Sequence, residues 1–485
     1  MNRITLRLTP LTVLTLFLAG LAALAAPSSK PVEKPNVVLI LVDDLGWMDL
    51  SCQGSGYYET PSIDRLAKEG MRFTDAYAAC AVCSPTRAAV MTGRYPARIG
   101  VTDWIRARFQ GGKIPENKKN PTQYVGNREL LCPPNPLWME HKEVTIAEML
   151  KQAGYATCHI GKWHLGPDDW YPEHQGFDLN IGGCDFGQPP SYFDPYTKKK
   201  QGDIPTLKAR KEGEYLTDRE GDEAERFIRD HADNPFFLYY APYAVHTPIQ
   251  ARKDLQKRYE AKETTNQKNA AYAAMIHSLD DAVGKILATL DELKLSKNTL
   301  VVFTSDNGGL DNNDNPTDNA PLRAGKGTPY EGGIRVPFLV RWPGKVTAGA
   351  LSRQPVISVD CLPTILEATG VKPPKGIELD GISLLSHLAS NGTKRLDRPS
   401  LFWHFPHYRG RGITPYSIIR RGPWKLIQRH DGSGSELFHL NNDRAESNDL
   451  SNQMPQIVRA MKNELNHHLK QVGARMPKPN PNFKK

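Results

Sequence analysis

The fold class of this 485-residue chain is indicated by one stretch of sequence, Asn36-Val37-Val38-Leu39-Ile40-Leu41-Val42-Asp43-Asp44. Its apolar run shows no alternation with polar residues, which is typical of a strand buried on both faces, as in a parallel sheet. Similar runs occur at residues 236–240, 299–304 and 336–341. We therefore expect a large sheet that is covered on both sides.

Helical patterns separate these runs. Thr60 followed by Pro61 predicts the start of a helix, and Gly70 predicts its end. Capping boxes are predicted to start helices at Thr145 and Thr217, because each is followed three residues later by Glu. Strands that alternate with helices indicate an α/β fold, here a large doubly wound sheet of parallel or mixed strands.

The pattern changes after Pro399. Short, partly alternating runs at 416–420, 424–427 and 436–440 predict a small antiparallel sheet, and residues 454–469 predict a helix after it. The expected organisation is an α/β domain at 33–398, an antiparallel-sheet subdomain at 399–473 and a disordered tail, rich in Pro and Lys, at 474–485.

Residues 1–26 have the pattern of a secretory signal. Arg3 and Arg7 precede a short apolar stretch that ends in small residues. A membrane anchor is the alternative, although the stretch is short for a span. We expect an exported protein, periplasmic or secreted, without stable membrane insertion.

The formal net charge of +9 suits a polyanionic partner such as a sulfated glycan or a nucleic acid. The sequence has neither zinc-finger spacing nor a Gly-rich phosphate loop, so we do not expect nucleic acid to be the partner.

Two polar pairs directly follow predicted strands. Asp43 and Asp44 follow the first run, and Asp306 and Asn307 follow the run at 299–304. Ligands bind beyond the carboxyl ends of strands in an open parallel sheet, and these oxygen donors favour Ca²⁺ or Mg²⁺ over zinc. Each Asp alone is equally typical of a turn.

The run Cys83-Ser84-Pro85-Thr86-Arg87 predicts a helix that begins at Cys83 and ends before Gly93. The free N–H groups of a helix N-terminus, together with Arg87 one turn on, suit an oxyanion such as sulfate or phosphate. Two alternatives stay open at this point: a buried core cysteine, or a redox pair of Cys80 with Cys83.

Four further residues are candidates for the site. Lys162 and His164 lie in Gly161-Lys162-Trp163-His164, where an extended backbone points both to one side. His246 follows the run at 236–240, and Lys326 lies between two glycines. A lysine supplies positive charge and a histidine moves a proton near neutral pH. Each is also compatible with a structural role.

The motif Cys-x-Pro-x-Arg at 83–87, with the other motifs in order over residues 36–345, resembles the formylglycine-dependent sulfatases of the alkaline phosphatase superfamily. The phrase at 326–337 resembles the arylsulfatase A and N-acetylgalactosamine-6-sulfatase branch. The resemblance implies that a maturation enzyme converts Cys83 to formylglycine, whose hydrate attacks sulfur. It also implies one Ca²⁺ held by Asp43, Asp44, Asp306, Asn307 and the modified Cys83.

The same resemblance implies roles for the remaining residues. Arg87 and Lys162 would hold the hydrate and the sulfate, and His164 would assist breakdown of the covalent intermediate. His246, as proton donor, and Lys326 would face the leaving oxygen. The expected reaction is sulfate ester hydrolysis on a sulfated carbohydrate or an aryl sulfate. The alternatives are a phosphate or phosphonate ester hydrolase of the same superfamily and an inactive glycan-binding relative.

Two regions are expected to meet the substrate without a matching family motif. Residues 104–142 are rich in Pro, Gly and basic residues and are interpreted as a substrate-facing insertion, with a solvated loop that has no role as the alternative. Trp403, His404, His407, Tyr408 and Arg409 form an aromatic and basic patch that suits either sugar contact or a folded core.

Overall fold

An eight-stranded mixed sheet lies at the centre of the fold. The structure is a computed structural model that describes residue 1 and residues 34–208, 210–311, 316–410 and 412–484. Across the sheet the strands are Ala350–Ser352, Met71–Phe73, Phe338–Arg341, Thr299–Ser305, Asn36–Val42, Phe236–Ala241, Ala156–Gly161 and Leu179–Ile181. The predicted α/β fold with a doubly wound sheet is confirmed.

The strands around Asn36–Val42 are parallel. That strand pairs in parallel with Thr299–Ser305 on one side and Phe236–Ala241 on the other. The run at 336–341 makes the sheet mixed, as the prediction of parallel or mixed strands allowed, since Phe338–Arg341 is antiparallel to Thr299–Ser305. Its side chains are all buried, so the apolar pattern that predicted it carries no information about direction.

Helices cover both faces of the sheet. Val38, Ile40 and Val42 face one core cluster, which includes residues of the helix Ala270–Glu292. Val37, Leu39 and Leu41 face a second cluster. The α-helices are Pro61–Glu69, Cys83–Thr92, Pro96–Ile99, Ile146–Gln152, Leu216–Asp230, Lys253–Glu260, Ala270–Glu292, Glu331–Ile334, Cys361–Thr369, Leu385–Ala389 and Pro455–Gln471. Burial on both sides explains the unbroken apolar run of the first strand.

The two predicted capping boxes have different outcomes. Thr145 caps the helix Ile146–Gln152, and its hydroxyl accepts a hydrogen bond from the N–H of Glu148 at 3.2 Å. The box predicted at Thr217 is wrong, because that helix begins at Leu216 after Tyr215. The side chain of Thr217 is buried inside the first turn, and its hydroxyl caps none of the helix N–H groups.

The predicted small antiparallel sheet is confirmed. Its strands, in order, are Ser400–Phe405, Tyr416–Arg421, Trp424–Arg429 and Ser435–His439. The helix Pro455–Gln471 packs Leu465 against Leu426 on this sheet. The small sheet also contacts the site-bearing part of the chain, since Lys425 Nζ lies 3.0 Å from Oε1 of the buried Glu331. The domain boundaries at 398 and 473 stay predictions.

The tail differs from the predicted disorder. Lys478–Pro479 form a short strand antiparallel to Leu130–Leu131, and the N–H of Asn480 donates to the carbonyl of Glu129 at 2.9 Å. A segment rich in Pro and Lys therefore takes a defined place, because the insertion offers its backbone groups as partners.

The predicted signal, residues 1–26, lies outside the described residues apart from Met1. In the described part of the chain, none of the helices combines the length and the apolar character needed to cross a bilayer. All seven cysteines are described, and none of them forms a disulfide.

Candidate active site

The two polar pairs that follow strands lie side by side. The strands Asn36–Val42 and Thr299–Ser305 are parallel neighbours, and Val42 pairs with Ser305. Asp43 and Asp44 therefore leave the sheet at the same edge as Asp306 and Asn307, as predicted. The backbone N–H of Asp44 donates to Oδ1 of Asp306 at 3.2 Å, and Nδ2 of Asn307 donates to Oδ1 of Asp44 at 2.8 Å.

Three buried oxygens in this group have no hydrogen-bond partner among the described residues. They are Oδ1 of Asp43, Oδ2 of Asp44 and Oδ1 of Asn307. Buried acceptors of this kind cost free energy unless something satisfies them. Carboxylate and amide oxygens are the donors that Ca²⁺ prefers, so the four side chains fit a hard divalent cation.

Three buried cations neutralise the carboxylates. Nζ of Lys162 lies 2.7 Å from Oδ2 of Asp43, and Nζ of Lys326 lies 2.5 Å from Oδ1 of Asp44. Nε of Arg87 donates to Oδ2 of Asp306 at 2.9 Å. Each predicted cation therefore has a carboxylate of its own, which makes these buried charges tolerable.

The pKa values of the three carboxyls diverge. Burial raises the pKa of Asp43 well above its usual value, although Lys162 opposes this. Burial also raises the pKa of Asp44 and of Asp306, but the nearby cations lower both pKa values by more. Lys326 and His246 hold the pKa of Asp44 below its usual value, and Arg87 and Lys162 do the same for Asp306.

Cys83 begins a fully buried helix, as the sequence predicted. The helix runs Cys83–Thr92 after an extended Val82 and ends at Gly93, whose φ of +65° favours glycine. Sγ of Cys83 lies 3.3 Å from Nδ1 of His164. The side chain at position 83 thus lies at the start of its helix and faces a histidine.

His164 is positioned to accept a proton at Nδ1. Its Nε2 lies 2.7 Å from the carbonyl oxygen of Ile105, a contact that requires Nε2 to be the donor. Burial and Lys162 lower the pKa of His164 well below its usual value, so the ring is neutral. The free lone pair of Nδ1 therefore faces position 83.

His246 lies between the oxygen-donor side chains and the open side of the site. Its Nε2 lies 3.5 Å from Oδ2 of Asp44, and its Nδ1 lies 2.9 Å from the carbonyl oxygen of Thr247. Burial and Lys326 lower its pKa to about 3. A negatively charged ligand beside the ring would act in the opposite direction and raise this pKa.

A cavity of about 180 Å³ opens on these groups. Four of its lining residues were predicted, and they are Cys83, His164, His246 and Lys326. Arg87 and Lys162 are not among the described lining residues, because their charged ends are bound to carboxylates behind it.

The cavity also has lining residues that sequence reasoning did not assign to the site. They are Val82, Trp104, Gln110, Gly187, Gln188 and Arg409. Trp104 and Gln110 lie in the predicted insertion, and Arg409 lies in the aromatic and basic patch. Gln188 carried no signal in the sequence. Gly187 allows a close approach, since a Cβ there would lie 2.6 Å from the ring of His164.

Comparison with known proteins identifies the family. The family model described as Sulfatase matches residues 35–371, more than half of the chain. The chain belongs to the sulfatase family. A second model, described as N-sulphoglucosamine sulphohydrolase, C-terminal, matches residues 325–472 of this sulfatase.

Individual relatives agree with the family. A sulfatase of Formosa agariphila is 34% identical and covers 91% of this chain and 88% of that protein. Mouse (Mus musculus) N-acetylgalactosamine-6-sulfatase is 36% identical over 84% of this chain and 74% of its own. The crystal structure of Ps i-CgsB in complex with k-i-k-neocarrahexaose superimposes with a TM-score of 0.76 at 30% identity, over 93% of this chain and 95% of that chain. The protein is thus a sulfuric ester hydrolase with the alkaline phosphatase-like fold.

Proposed function

We propose that this sulfatase hydrolyses sulfate esters of carbohydrates with a formylglycine made from Cys83 and one bound Ca²⁺. One observation carries the proposal. Cys83 and Lys326 line the same cavity, and Nζ of Lys326 lies 2.5 Å from Oδ1 of Asp44, one of the four metal-type ligands. Residue 83, the ammonium group of Lys326 and the proposed calcium site therefore lie next to one another.

The proposed calcium ligands are Asp43, Asp44, Asp306 and Asn307, with the modified side chain at position 83. The unsatisfied oxygens of Asp43, Asp44 and Asn307 support this choice. The ion would supply positive charge for the sulfate oxygens, as divalent cations do at anionic centres. Lys326 and the N-terminus of the helix Cys83–Thr92 would add to that charge from the protein.

The proposed nucleophile needs a base and an anion pocket. Hydrated formylglycine would supply one hydroxyl for attack on sulfur and a second for release of sulfate. Nδ1 of His164 carries a free lone pair 3.3 Å from the side-chain terminus of residue 83. It would accept the proton of the second hydroxyl as the covalent intermediate breaks down, the aldehyde re-forms and sulfate leaves. Arg87 holds Asp306 and the carbonyl of Lys162, which keeps the floor of the site rigid.

The leaving oxygen would be protonated from the other side of the cavity. His246 lines the cavity, and the incoming sulfate would oppose the effect of Lys326 on its pKa. A proton delivered there would raise the rate by about a hundredfold or more. The net reaction consumes one water and releases an alcohol and sulfate.

The substrate class rests on the relatives. The mouse relative is named N-acetylgalactosamine-6-sulfatase, and Ps i-CgsB was crystallised with a carrageenan-type hexasaccharide. Both names support a sulfated carbohydrate, and the net charge of +9 favours a polyanion. Export through the predicted signal at 1–26 belongs to this proposal and would bring the enzyme to such polymers.

Mass spectrometry of the tryptic peptide spanning residues 73–87 tests the proposed nucleophile. We expect a mass for residue 83 in which an aldehyde replaces the thiol, together with turnover of an aryl sulfate that Cys83→Ala abolishes. An unmodified Cys83 in active enzyme, or near-normal turnover by Cys83→Ala, would contradict the proposal. Faster turnover of aryl phosphonate monoesters than of aryl sulfates would favour the phosphonate hydrolase alternative.

A further inference from the structure

Two further cavities adjoin the catalytic cavity through shared walls. One, of about 520 Å³, is lined by parts of the insertion together with His407 and Tyr408. The other, of about 510 Å³, shares Trp104, Lys326 and Arg409 with the catalytic cavity. Asp103, Trp104, Arg106 and Tyr408 line both of the larger cavities. We call this continuous surface, defined by Trp104, Arg106, Arg128, Tyr408 and Arg409, the basic groove.

The groove carries positive charge that has few partners. Within the described part of the chain, Arg106 and Arg128 are exposed and form no ion pair with a carboxylate. Arg409 lies 3.7 Å from Asp103. Asp103 is also the one acidic residue among the described lining residues of both large cavities. Three guanidinium groups therefore face one carboxylate, and the groove has capacity for an anion.

Aromatic rings hold two of these arginines in place. The guanidinium of Arg128 lies 5.0 Å from the ring centre of Tyr408, and that of Arg106 lies 5.8 Å from the ring centre of Trp104. Such contacts restrict a flexible side chain while leaving its N–H groups free to bind oxygen atoms. The arginines are thus partly preorganised for a planar, bidentate contact with an oxyanion.

The backbone of the groove is also fixed. Nδ2 of Asn135 donates to the carbonyls of Asp103 and Trp104 at 3.0 and 2.9 Å. Val125 and Cys132 exchange two backbone hydrogen bonds, and Asn480 Nδ2 donates to the carbonyl of Arg128 at 2.9 Å. These contacts keep the arginine-bearing segments together without help from a ligand.

We infer that the basic groove is a subsite for a second anionic group on a sulfated oligosaccharide. This inference rests on the proposed function. When the scissile sulfate faces Cys83, the sugar that carries it lies beside Trp104, which lines both the catalytic cavity and the basic groove. The neighbouring sugar of the chain then enters the basic groove. Its own sulfate or carboxylate then contacts Arg106 and Arg128. The enzyme therefore prefers oligosaccharides with two or more anionic groups over a monosulfated sugar.

Paired kinetic measurements test the inference. The double variant Arg106→Ala/Arg128→Ala is compared with Lys199→Ala/Lys200→Ala, which removes the same charge from an exposed turn. Substrates are a monosulfated monosaccharide and a polysulfated tetrasaccharide of the same sugar. We expect the arginine variant to lower the tetrasaccharide-to-monosaccharide ratio of kcat/KM by about tenfold or more, because charged hydrogen bonds are lost. An unchanged ratio, or an equal fall in the lysine variant, would overturn the subsite.

A binding measurement separates this inference from the proposed function. In a Cys83→Ala background, calorimetric titration with the tetrasaccharide measures binding without turnover. We expect weaker binding when Arg106 and Arg128 are also replaced, and a smaller dependence of the affinity on salt. Equal affinities and equal salt dependence would overturn the subsite even if the wild-type enzyme hydrolyses sulfate esters. A wild-type enzyme that hydrolyses no sulfate ester would overturn the proposed function. The binding measurement would then show by itself whether the basic groove binds the second anionic group.

Discussion

Nζ of Lys162 lies 2.7 Å from Oδ2 of Asp43, and both side chains are fully buried. The two residues are 119 positions apart in the chain and follow two different strands of the sheet. This ion pair lies behind the cavity that Cys83 lines and makes the site sensitive to loss of either charge.

Replacing Lys162 by Met should destabilise the fold and abolish activity. The substitution leaves Asp43 as a buried carboxylate without its nearest cation, which costs about 3–5 kcal/mol. Urea denaturation measures the loss. Lys151→Met is the matched control, because Lys151 and Asp178 form a pair of the same length, 2.7 Å, on the surface. That exposed pair contributes about 0–1 kcal/mol.

The double variant Lys162→Met/Asp43→Asn extends this prediction. Removing the uncompensated carboxylate should restore part of the lost free energy of unfolding without restoring activity. A single variant as stable as the wild type would show that the Lys162–Asp43 pair does not stabilise the site.

A chelator of hard cations should lower both activity and thermal stability. Only the folded protein brings the four proposed oxygen ligands together, so removal of the proposed ion should lose its binding free energy. Added Ca²⁺ should restore the melting temperature, and a chelator selective for zinc should have little effect. Asn307→Ala removes one unsatisfied oxygen and should raise the Ca²⁺ concentration needed for this shift. Indifference of the melting temperature to both Ca²⁺ and chelator would contradict the metal site.

The buried Glu220 should make stability fall as pH rises. Burial raises its pKa to about 8, and among the described residues its Oε2 has no hydrogen-bond partner. Because the folded pKa lies above the unfolded one, its stabilising contribution is present below about pH 4.5 and is lost as the pH rises through about 8. One such group contributes a slope of at most about 1.4 kcal/mol per pH unit.

Glu220→Gln tests this slope, because glutamine keeps the shape of the side chain without its charge. Urea denaturation across the range from about pH 5 to 8 should show the variant gaining stability relative to wild type as the pH rises. Glu212→Gln, at an exposed position before the same helix, is the control. A constant difference between variant and wild type across this range would show that Glu220 does not titrate there.

Deleting residues 474–485 should loosen the insertion. The deletion removes the strand Lys478–Pro479 and the contacts of Asn480 with Arg128 and Glu129. We expect faster amide hydrogen exchange at residues 125–132 and little change in the central sheet. A further lost contact lies at the small sheet, where the carbonyl of Arg475 is 3.1 Å from Nε2 of His404. Asn480→Ala should show a smaller effect at the same amides. Unchanged exchange would indicate that the two hydrogen bonds between Val125 and Cys132 hold the segment alone.

Patterns along the chain predicted most of the elements and several site residues. The run at Asn36–Val42 predicted a strand buried on both faces, and Pro85 with Gly93 predicted the helix that begins at Cys83. Two features of the structure could not be predicted, because the local sequence does not contain them. The apolar run at 336–341 says nothing about strand direction, and the composition of the tail says nothing about the partner that orders it.

Local patterns were enough to predict the chemical types of the site residues and their placement at strand ends and at a helix start, because these depend on residues close together in the chain. The pairing of each cation with its carboxylate follows from the three-dimensional fold, as does the position of Trp104, Gln188 and Arg409 at the cavity of Cys83. These pairings depend on which distant segments of the chain come together when helices and loops pack against the two faces of the sheet. Local propensity and spacing do not contain that information, since it arises from packing and charge compensation across the whole fold.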